Sequence, residues 1–425
     1  MKILLYGLNY APEPTGIGKY SGEKAAALAR MGHEVRVVTA PPYYPDWRVS
    51  SQFKNGYQHS TTPEGVRVWR APLWVPAQPS GLKRVLHLAS FAITSWPLLL
   101  RQWFWKPDVV LVVVPTLTCV PGALMLSALS GALSWLHVQD FEVDAAYRLG
   151  LLNGKRARAW ATGVERWLMR RFDRVSTISH RMMQGAAGKG IDASRLVFLP
   201  NWVDVSYITP LKQPSPYRAE LGLADDAVVA LFSGTLAGKQ GLELLPQVAQ
   251  QLSVLKPNVT VVICGDGVVK PELEAACVGM RNVRFLPLQP FERLNDLLGM
   301  ADIHLLPQNP GAADVVMPSK LTGMLASGRP VVSTADQGTE LAHVVAQCGL
   351  VVPPGSAQGM ADAIVRLADD AALRARLGQS ARAFAEQHLA LAGIMKHLDA
   401  ALKQGLQSPD DAGELAWRDP HTPVA

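Results

Sequence analysis

The chain has 425 residues, of which 48% are hydrophobic, and this length and apolar content predict two sizeable cores rather than one. Charged residues make up only 18% of the chain and leave a formal net charge of +6. An excess this modest, without a long basic block, argues against a nucleic-acid partner and is compatible with nucleotide phosphates or anionic lipid.

The cysteines and the first residues indicate the compartment. Cysteines occur in apolar runs and share no metal-ligand spacing, at Cys119, Cys264, Cys277 and Cys348. This pattern predicts buried thiols in a reducing environment. The chain begins directly with an apolar strand pattern instead of a signal peptide, so we expect a cytoplasmic protein.

Apolar strands alternate with helices along the first half of the chain. The strand "KILLYGL" precedes a predicted helix over residues 20–31, and the strand "HEVRVVTA" follows that helix. Prolines and glycines interrupt the uncharged stretch 109–136, so it lacks the roughly 20 apolar residues of a membrane-spanning helix and predicts strand, helix and strand. Further strands are predicted at "DRVSTIS" and "RLVFLPN". This pattern predicts a parallel sheet.

A proline-rich segment, "ITPLKQPSPYR", predicts a linker, and the alternation restarts after it. The strands predicted there are "AVVALFSG", "NVTVVICGDG", "VRFLPLQP", "ADIHLLPQ" and "RPVVST", with helices over 242–255, from 271, over 292–300 and over 319–327. The predicted fold class is therefore α/β, with two doubly wound Rossmann-like domains at 1–205 and 206–403 that face a central cleft. Residues 404–425 lose apolar periodicity and predict a mobile tail.

The loops that end the predicted strands carry a distinctive set of motifs. They include "EPTGIGKY", "HVQDFEVD", "LPNWVD", "SGTLAGKQGLELL", "CGDG" and "PSKLTGMLASGRPVV". Their order and sequence resemble the GT-B glycosyltransferases of family four over nearly the whole of both predicted domains. Longer stretches, such as "TGIGKYSGE" and "AADVVMPSKLTGMLASG", are similar to members of that family that act in colanic acid biosynthesis.

The resemblance implies that the chain is a retaining glycosyltransferase. It would move a sugar, expected to be fucose from GDP-fucose, onto a lipid-linked oligosaccharide in colanic acid-type exopolysaccharide biosynthesis. The N-terminal domain would bind the acceptor, and the C-terminal domain would bind the nucleotide sugar. No D-x-D motif stands at a predicted strand end, so we expect no metal cofactor.

Departure of a nucleoside diphosphate requires cations and backbone donors aimed at the leaving group. Lys239, in the loop Gly234–Gly241, is the first candidate for this task, and a solvated loop lysine is the alternative. A second phosphate cradle is predicted at the start of a later helix, over the backbone of Ser319, Lys320, Leu321 and Thr322. Gly16 and Gly18 would let backbone amides approach the donor phosphates or the acceptor, and Gly265 and Gly267 would do so beneath the nucleotide. Ordinary tight turns are the alternative for all four glycines.

The loop "HVQDFEVDAA" holds the candidates for acid–base chemistry. Asp140 is the first choice for assisting the acceptor hydroxyl or orienting the sugar, with His137 and Glu142 behind it. Asp144 fits a helix cap, and a purely structural part for the whole loop is the alternative.

Two positions depart from the family pattern. Gly323 stands where the family has the glutamate that holds the donor ribose, and Thr235 stands where an arginine follows the first loop glycine. Asp314 could replace part of the lost donor contacts. These departures leave two other functions open: a non-catalytic GT-B-shaped protein that binds a glycan precursor or a partner enzyme, and a nucleotide-sugar epimerase.

Two stretches, residues 80–106 and 154–172, combine basic residues with tryptophans. Lysine and arginine beside tryptophan and leucine suit the headgroup boundary of a membrane, where aromatic rings sit and cations meet anionic lipid. A lipid-linked acceptor would also keep the enzyme at the bilayer. We therefore expect peripheral binding to the anionic inner face of the cell membrane, and the alternative is that both stretches are helices packed on the sheet.

Overall fold

Two parallel sheets, one in each of two units, form the framework of the molecule. The structure is a computed structural model that describes residues 1–13, 16–44, 46–78, 80–143, 155–310 and 317–407. The first unit consists of Met1–Pro200 and the chain from Met395 onward, and the second consists of Asn201–Ile394. The prediction of two doubly wound Rossmann-like sheets is confirmed.

The strands of the first unit are β1 (Lys2–Tyr6), β2 (Glu34–Thr39), β3 (Gln58–Thr61), β4 (Arg67–Arg70), β5 (Val109–Val114), β6 (Leu133–Val138), β7 (Arg174–Thr177) and β8 (Leu196–Phe198). Within the described residues they form one sheet in the order β3-β4-β2-β1-β5-β6-β7-β8, parallel except for the pair β3 and β4. Strands β5 and β6 are buried along their whole length, and apolar residues occupy both faces of β5, whereas β6 also carries the buried polar residues Ser134 and His137.

The helices of the first unit include α1 (Gly16–Arg30), α2 (Gly81–Trp105), α3 (Val120–Ser130), α4 (Lys155–Met169) and α5 (His180–Gly188). The strand, helix and strand predicted over 109–136 are confirmed as β5, α3 and β6. Helix α1 begins at Gly16 instead of Tyr20, and the short strands β3 and β4 were not predicted. Among the described helices, none has both the length and the apolar composition that crossing a bilayer requires.

The strands of the second unit are β9 (Val228–Ser233), β10 (Val259–Cys264), β11 (Val283–Leu286), β12 (Ile303–Leu306), β13 (Val331–Thr334) and β14 (Gly349–Val352). Within the described residues they form a parallel sheet in the order β11-β10-β9-β12-β13-β14. Counted from β9, this is the strand order of the Rossmann fold, in which the winding direction reverses between the first and fourth strands. The reversal point therefore lies between β9 and β12.

The helices of the second unit include α6 (Pro216–Glu220), α7 (Leu244–Leu255), α8 (Lys270–Ala276), α9 (Leu294–Met300), α10 (Lys320–Ala326), α11 (Glu340–Cys348), α12 (Ala357–Asp369) and α13 (Ala371–His388). One hydrophobic core joins α7 and α12 to the face of the sheet that carries Phe232 and Ile263. The four cysteines of the chain are buried free thiols, as the sequence predicts.

The proline-rich segment around Pro210 is part of the second unit and not a linker. The backbone amide of Thr209 donates to Asn295 Oδ1 at 2.9 Å. Arg382 donates from its guanidinium to the carbonyls of Val205 and Ile208, at 2.8 Å and 2.7 Å. These contacts place the boundary between the units before this segment, at Pro200 and Asn201.

The C-terminal helix α14 (Leu391–Gln407) differs from the predicted domain limits. It continues past residue 404, where a tail was expected, and its residues from Met395 belong to the first unit. Asp399 Oδ1 lies 2.8 Å from His33 Nε2, and a Cβ at Gly405 would lie 2.8 Å from Leu133 Cδ2. Leu398 and Leu402 of α14 are fully buried. This helix therefore packs on the first unit, although the chain directly before Met395, Asn201–Ile394, belongs to the second unit.

Candidate functional site

The loops after β9 and β12 meet at the reversal point of the second sheet, where open parallel sheets bind their ligands. Asn309 Nδ2 donates to the carbonyl of Gly238 at 3.1 Å. A Cβ at Gly241 would lie 3.1 Å from Asn309 Oδ1, so the two loops approach each other closely. Asn309 was not among the residues singled out from the sequence, because only the fold brings it beside the glycine loop.

The glycines of the loops after β9 and β10 have positive φ angles of 139° at Gly234, 147° at Gly265 and 152° at Gly267. A Cβ at Gly265 would collide with the carbonyl oxygen of Gly234, and one at Gly267 with the carbonyl oxygen of Leu236. These glycines therefore let two loops lie directly against each other.

Their amides were predicted to face a ligand, and the structure gives these amides protein partners instead. Gly234 N–H donates to Cys264 O and Gly265 N–H to Leu286 O, both at 3.0 Å. Gly267 N–H donates to Asp266 Oδ1 at 2.8 Å. The glycines shape the site, but these three amides are already occupied.

Lys239 lies in a single 3-10 turn, Gly238–Gln240, directly after the first loop glycines. The backbone therefore has the loop position that the sequence predicts. The structure describes this residue by its backbone, and the role of its ammonium stays a prediction. Asp314, the suggested substitute for lost donor contacts, lies outside the described residues.

The sequence predicts that backbone amides at the start of α10 bind phosphate, but some polar groups there already have protein partners. Leu321 N–H donates to the carbonyl of Pro318 at 3.0 Å, and Thr322 Oγ1 donates to the carbonyl of Ser319 at 2.9 Å. Helix α10 has only 7 residues. The side chain of Lys320, rather than the backbone, reaches the glycine loop, where Nζ donates to Gln240 Oε1 at 3.1 Å. Gln240 was not recognised from the sequence.

Burial lowers the pKa of Lys320 to about 7. Its Nζ lies 4.2 Å from the centroid of the Phe232 ring. In the part of the chain that the structure describes, no carboxylate offsets the burial of this ammonium. Gly323, where the ribose-binding glutamate was expected, packs instead on the helix α9, since a Cβ there would lie 3.2 Å from Leu298 Cδ1.

In the first unit, His137 lies inside β6 and is fully buried. Its Nδ1 lies 2.9 Å from Ser176 Oγ, and its Nε2 lies 2.9 Å from Gln139 Nε2. Burial, and then the positive charge of Lys24, hold the pKa of His137 well below its usual range, so the ring is neutral. Because the ring is fully buried and both its nitrogens have protein partners, His137 does not present a general base to a substrate. It positions Gln139 at the strand end.

Glu142 and Asp140 follow β6. Glu142 accepts the backbone N–H of Leu117 at 2.6 Å. Burial, followed by the charges of Glu165 and Asp140, raises the pKa of Glu142 to about 7. Asp140 is half-buried at the carboxyl end of the sheet, as the sequence predicts. Asp144 lies outside the described residues.

Lys24 was missed from the sequence. It is 1% exposed on the buried face of α1, and burial lowers its pKa to about 7. The available signal was its position on the apolar face of that helix, beside Ala25 and Leu28. The positive charge of Lys24 contributes to the lowered pKa of His137, so the two side chains interact beneath the loop that follows β6.

Gly16 and Gly18 form the first turn of α1 and not a free loop. A Cβ at Gly18 would lie 2.6 Å from the Cβ of Glu13, which is 4% exposed. Gly18 thus makes room for a buried carboxyl group whose pKa is raised by burial. Gly16 has a φ of 62° with open space around a Cβ, so its backbone conformation alone requires glycine.

A metal site was not expected from the sequence. Among the residues that the structure describes, no three His, Cys, Asp or Glu side chains converge in a way that could hold a metal ion. Among the described residues of the second unit, the glycine loop, Asn309 and the Lys320 side chain meet at the reversal point of the sheet.

Comparisons with known proteins assign the chain to a family. Residues 15–202 match the family described as "Glycosyl transferase 4-like domain", and residues 215–384 match that described as "Glycosyl transferases group 1". The chain is 46% identical over 349 residues to the colanic acid biosynthesis glycosyl transferase WcaI of Escherichia coli K12. That match covers 81% of this chain and 86% of the relative.

Solved structures share the fold. Sucrose-phosphate synthase from Thermosynechococcus elongatus has a TM-score of 0.74 at 17% identity, with 96% of this chain and 100% of that chain covered. HepE from Anabaena, solved with UDP-glucose, has a TM-score of 0.66 at 16% identity, with 95% and 100% covered. Taken with the matched families and the Escherichia coli relative, these likenesses show that the chain is a glycosyltransferase that belongs to the GT-B family, with a glycosyl transferase 4-like domain followed by a group 1 domain.

Proposed function

We propose that this glycosyltransferase transfers fucose from GDP-fucose to a lipid-linked oligosaccharide of colanic acid-type exopolysaccharide biosynthesis, with retention at the anomeric carbon and without a metal ion. The observation that carries the proposal is the 46% identity, over 81% of the chain, to the colanic acid biosynthesis glycosyl transferase WcaI. Because the chain belongs to a glycosyltransferase family, we favour sugar transfer over the two alternatives, an epimerase and a non-catalytic binding protein.

The donor side of the reaction is proposed for the second unit. Its reversal point carries a glycine-shaped loop that contains Lys239, and the ammonium of Lys320 reaches the same loop. Cations held in place before the reaction stabilise the charge that develops on a departing diphosphate. HepE, solved with UDP-glucose, supports a nucleotide-sugar donor through its shared fold.

The acceptor side is proposed for the first unit. Asp140 would orient the sugar or assist the acceptor hydroxyl, since it stands half-buried at the carboxyl end of β6. Gln139, held by the buried neutral His137, would add a fixed polar group beside it. Glu142, with a pKa of about 7, could exist in either protonation state near neutral pH.

We also propose peripheral association with the inner face of the cell membrane, and helix α2 is the element proposed to contact the lipid. One face packs inward through Phe91, Ser95 and Leu99, which are buried. The opposite face exposes a stripe of large apolar side chains at helical spacing: Leu82, Val85, Leu86, Ile93, Trp96, Leu100, Trp103 and Phe104. Their exposures run from 38% for Trp96 to 82% for Phe104.

Basic residues border this stripe and make a lipid surface its proposed occupant. Lys83, Arg101 and Lys106 are exposed along α2. Helix α4 adds Trp160, which is 74% exposed, and Trp167, whose ring lies 3.5 Å from the guanidinium of Arg171. Apolar side chains beside cations suit an anionic bilayer, where an acceptor with a lipid tail would be held.

The donor proposal is tested by thermal unfolding of the purified protein with GDP-fucose, other GDP-sugars, UDP-glucose and dTDP-sugars. A bound ligand stabilises the folded state by RT ln(1 + [L]/Kd), so we expect the melting temperature to rise with GDP-sugars. An exclusive response to UDP-sugars would overturn the choice of GDP-fucose.

Transfer itself is tested with labelled GDP-fucose and a polyprenyl-diphosphate-linked oligosaccharide, with and without EDTA. We expect acceptor-dependent incorporation, an α or β configuration in the product identical to that of the donor, and activity that survives EDTA. Inversion in the product would refute retention, and loss of activity that Mg²⁺ restores would refute metal independence.

A further inference from the structure

The side chain of Lys320 joins two elements that are far apart in the sequence. It starts at the first residue of α10 and ends against the loop after β9. There Nζ donates to Gln240 Oε1 at 3.1 Å and lies over the Phe232 ring, 4.2 Å from its centroid. The ammonium is therefore held at the reversal point of the second sheet, where this fold binds ligands.

Gly234 leaves the space that this ammonium occupies. A Cβ at Gly234 would lie 3.1 Å from Lys320 Nζ and 3.2 Å from Cε. The φ angle of 139° at Gly234 is itself open only to glycine at low cost. The loop is thus shaped around the lysine, and a side chain at this position would move the ammonium away from Gln240.

The ammonium has an aromatic ring and an amide oxygen as neighbours, and neither neutralises it. Burial of a cation is unfavourable unless an anion accompanies it. Burial is what lowers the pKa of Lys320 to about 7, with no carboxylate in the described ranges to counter it. Phe232 and Gln240 fix its direction, and they leave N–H donors of the ammonium for an anionic ligand.

We propose that Lys320 Nζ binds the diphosphate of the nucleotide-sugar donor and stabilises it as the leaving group. This inference rests on the proposed function. In the reaction, the bond between the anomeric carbon and the β-phosphate oxygen breaks, and its electron pair stays on the phosphate. The acceptor oxygen forms the new bond to that carbon, and its proton passes to the departing diphosphate. Lys320 offsets the negative charge gained by the phosphate.

Binding of a diphosphate to a lysine with this pKa must be coupled to a proton. In the free protein at about pH 8 the side chain is mostly neutral, and an anion bound beside it favours the charged form. Nucleotide binding should therefore take up close to one proton at about pH 8 and almost none at about pH 6. A lysine that only fills space would not produce this dependence.

The test is calorimetric titration of GDP and of UDP, each without a sugar, at both pH values in two buffers of different ionisation enthalpy. The variants are K320M, which is neutral and similar in length, and K320R, which is always charged. We expect K320M to lose about 10-fold to 100-fold in affinity together with the proton uptake. K320R should keep most of the affinity and show no uptake.

Two further variants make the result specific. Thr235 follows Gly234, so the double variant K320M/T235R returns a cation to the same loop and should recover part of the affinity lost in K320M. Lys212→Met removes an exposed lysine of the same unit and should bind nucleotide like the wild type. Melting temperatures of all variants report whether they are folded.

The outcomes separate the inference from the function on which it rests. If the wild type binds neither GDP nor UDP, the proposed donor class itself fails. If the wild type binds nucleotide and folded K320M binds it equally well, with the same proton uptake, Lys320 is not a diphosphate ligand and the inference is overturned.

Discussion

His304 Nε2 lies 3.0 Å from Ser327 Oγ, which links strand β12 to the end of helix α10 in the core of the second unit. His304 is 0% exposed, and burial, followed by the charge of Arg329, lowers its pKa to about 3. Protonation of this ring is therefore less favourable in the folded unit than in the unfolded chain.

Acid should therefore destabilise the second unit through His304. The pKa in the folded state lies below the unfolded value of about 6.5, so the unfolded chain binds the extra proton first. As the pH falls below about 6.5, the free energy of unfolding decreases by about 1.4 kcal/mol per pH unit. The loss caused by His304 therefore reaches about 2 kcal/mol at pH 5. Urea denaturation at pH 7 and pH 5 measures the loss, which should be smaller in His304→Gln.

The control for this measurement is His388→Gln, since His388 is exposed in the same unit. This variant should show the same pH dependence as the wild type. Equal loss of stability in His304→Gln and the wild type would mean that another group causes the acid sensitivity.

Lys239→Ala should impair catalysis while leaving the fold intact. If the ammonium stabilises the departing diphosphate, kcat should fall on the order of 10²-fold, as for the loss of one fixed electrostatic group. Steady-state kinetics with the labelled donor measure kcat, and the melting temperature checks folding. The exposed Lys212→Ala is the control, and wild-type turnover in Lys239→Ala would remove Lys239 from the proposed site.

Gly265→Ala should destabilise the second unit. The added methyl group would meet the carbonyl oxygen of Gly234, and the φ of 147° is unfavourable for any other residue. We expect a loss of about 3 kcal/mol in the free energy of unfolding by urea. Gly279→Ala is the matched control, because Gly279 has a φ of 82° and open space, so it should cost about 1 kcal/mol. Equal losses would show that backbone strain, and not loop packing, sets the cost.

Charge reversal in the first unit should weaken membrane binding. Each basic residue near an anionic surface contributes about 1 kcal/mol, and salt screens it. We expect the variant with glutamate at Lys83, Arg84, Arg170 and Arg171 to float less with phosphatidylglycerol vesicles than the wild type does. High salt should reduce flotation of the wild type.

The control reverses the same number of charges in the second unit, at Lys212, Arg281, Arg366 and Arg376, all of them exposed. It should float like the wild type. A third variant, with serine at Leu82, Ile93 and Phe104, tests the apolar stripe on α2 at unchanged charge and should float less. Equal partitioning of all four proteins would rule out the membrane face proposed here.

The alternation of strands and helices could be predicted from the sequence because each apolar run specifies its own local structure. Strand β5 is a continuous apolar run, and β6 is apolar apart from Ser134 and His137, which is close to the pattern of strands buried on both faces. The glycine loop after β9 was also found in the sequence, since its residue types are what close turns and ligand loops require. The resemblance to family four rested on these same loops, and the family was confirmed.

The roles of individual residues depended on contacts between distant parts of the chain. His137 was predicted beside the reacting groups, but it lies inside the buried strand β6, and Ser176 on β7 and Gln139 are the partners of its ring nitrogens. Lys320 was noted for its backbone, and its side chain proved to be the part that reaches the loop at Gly234. The contacts with Ser176 and with this loop join residues that are far apart in the sequence, so a local sequence pattern cannot predict them.

The sequence by itself determined which segments form strands and helices, because hydrophobic periodicity and turn residues act over a few neighbouring positions. Only the tertiary structure decided that α14 returns to the first unit, that α2 leaves an apolar face exposed and that Lys320 lies without a counter-charge among the described residues. Burial and electrostatic environment are properties of everything packed around a group, and they arise only when the chain is folded.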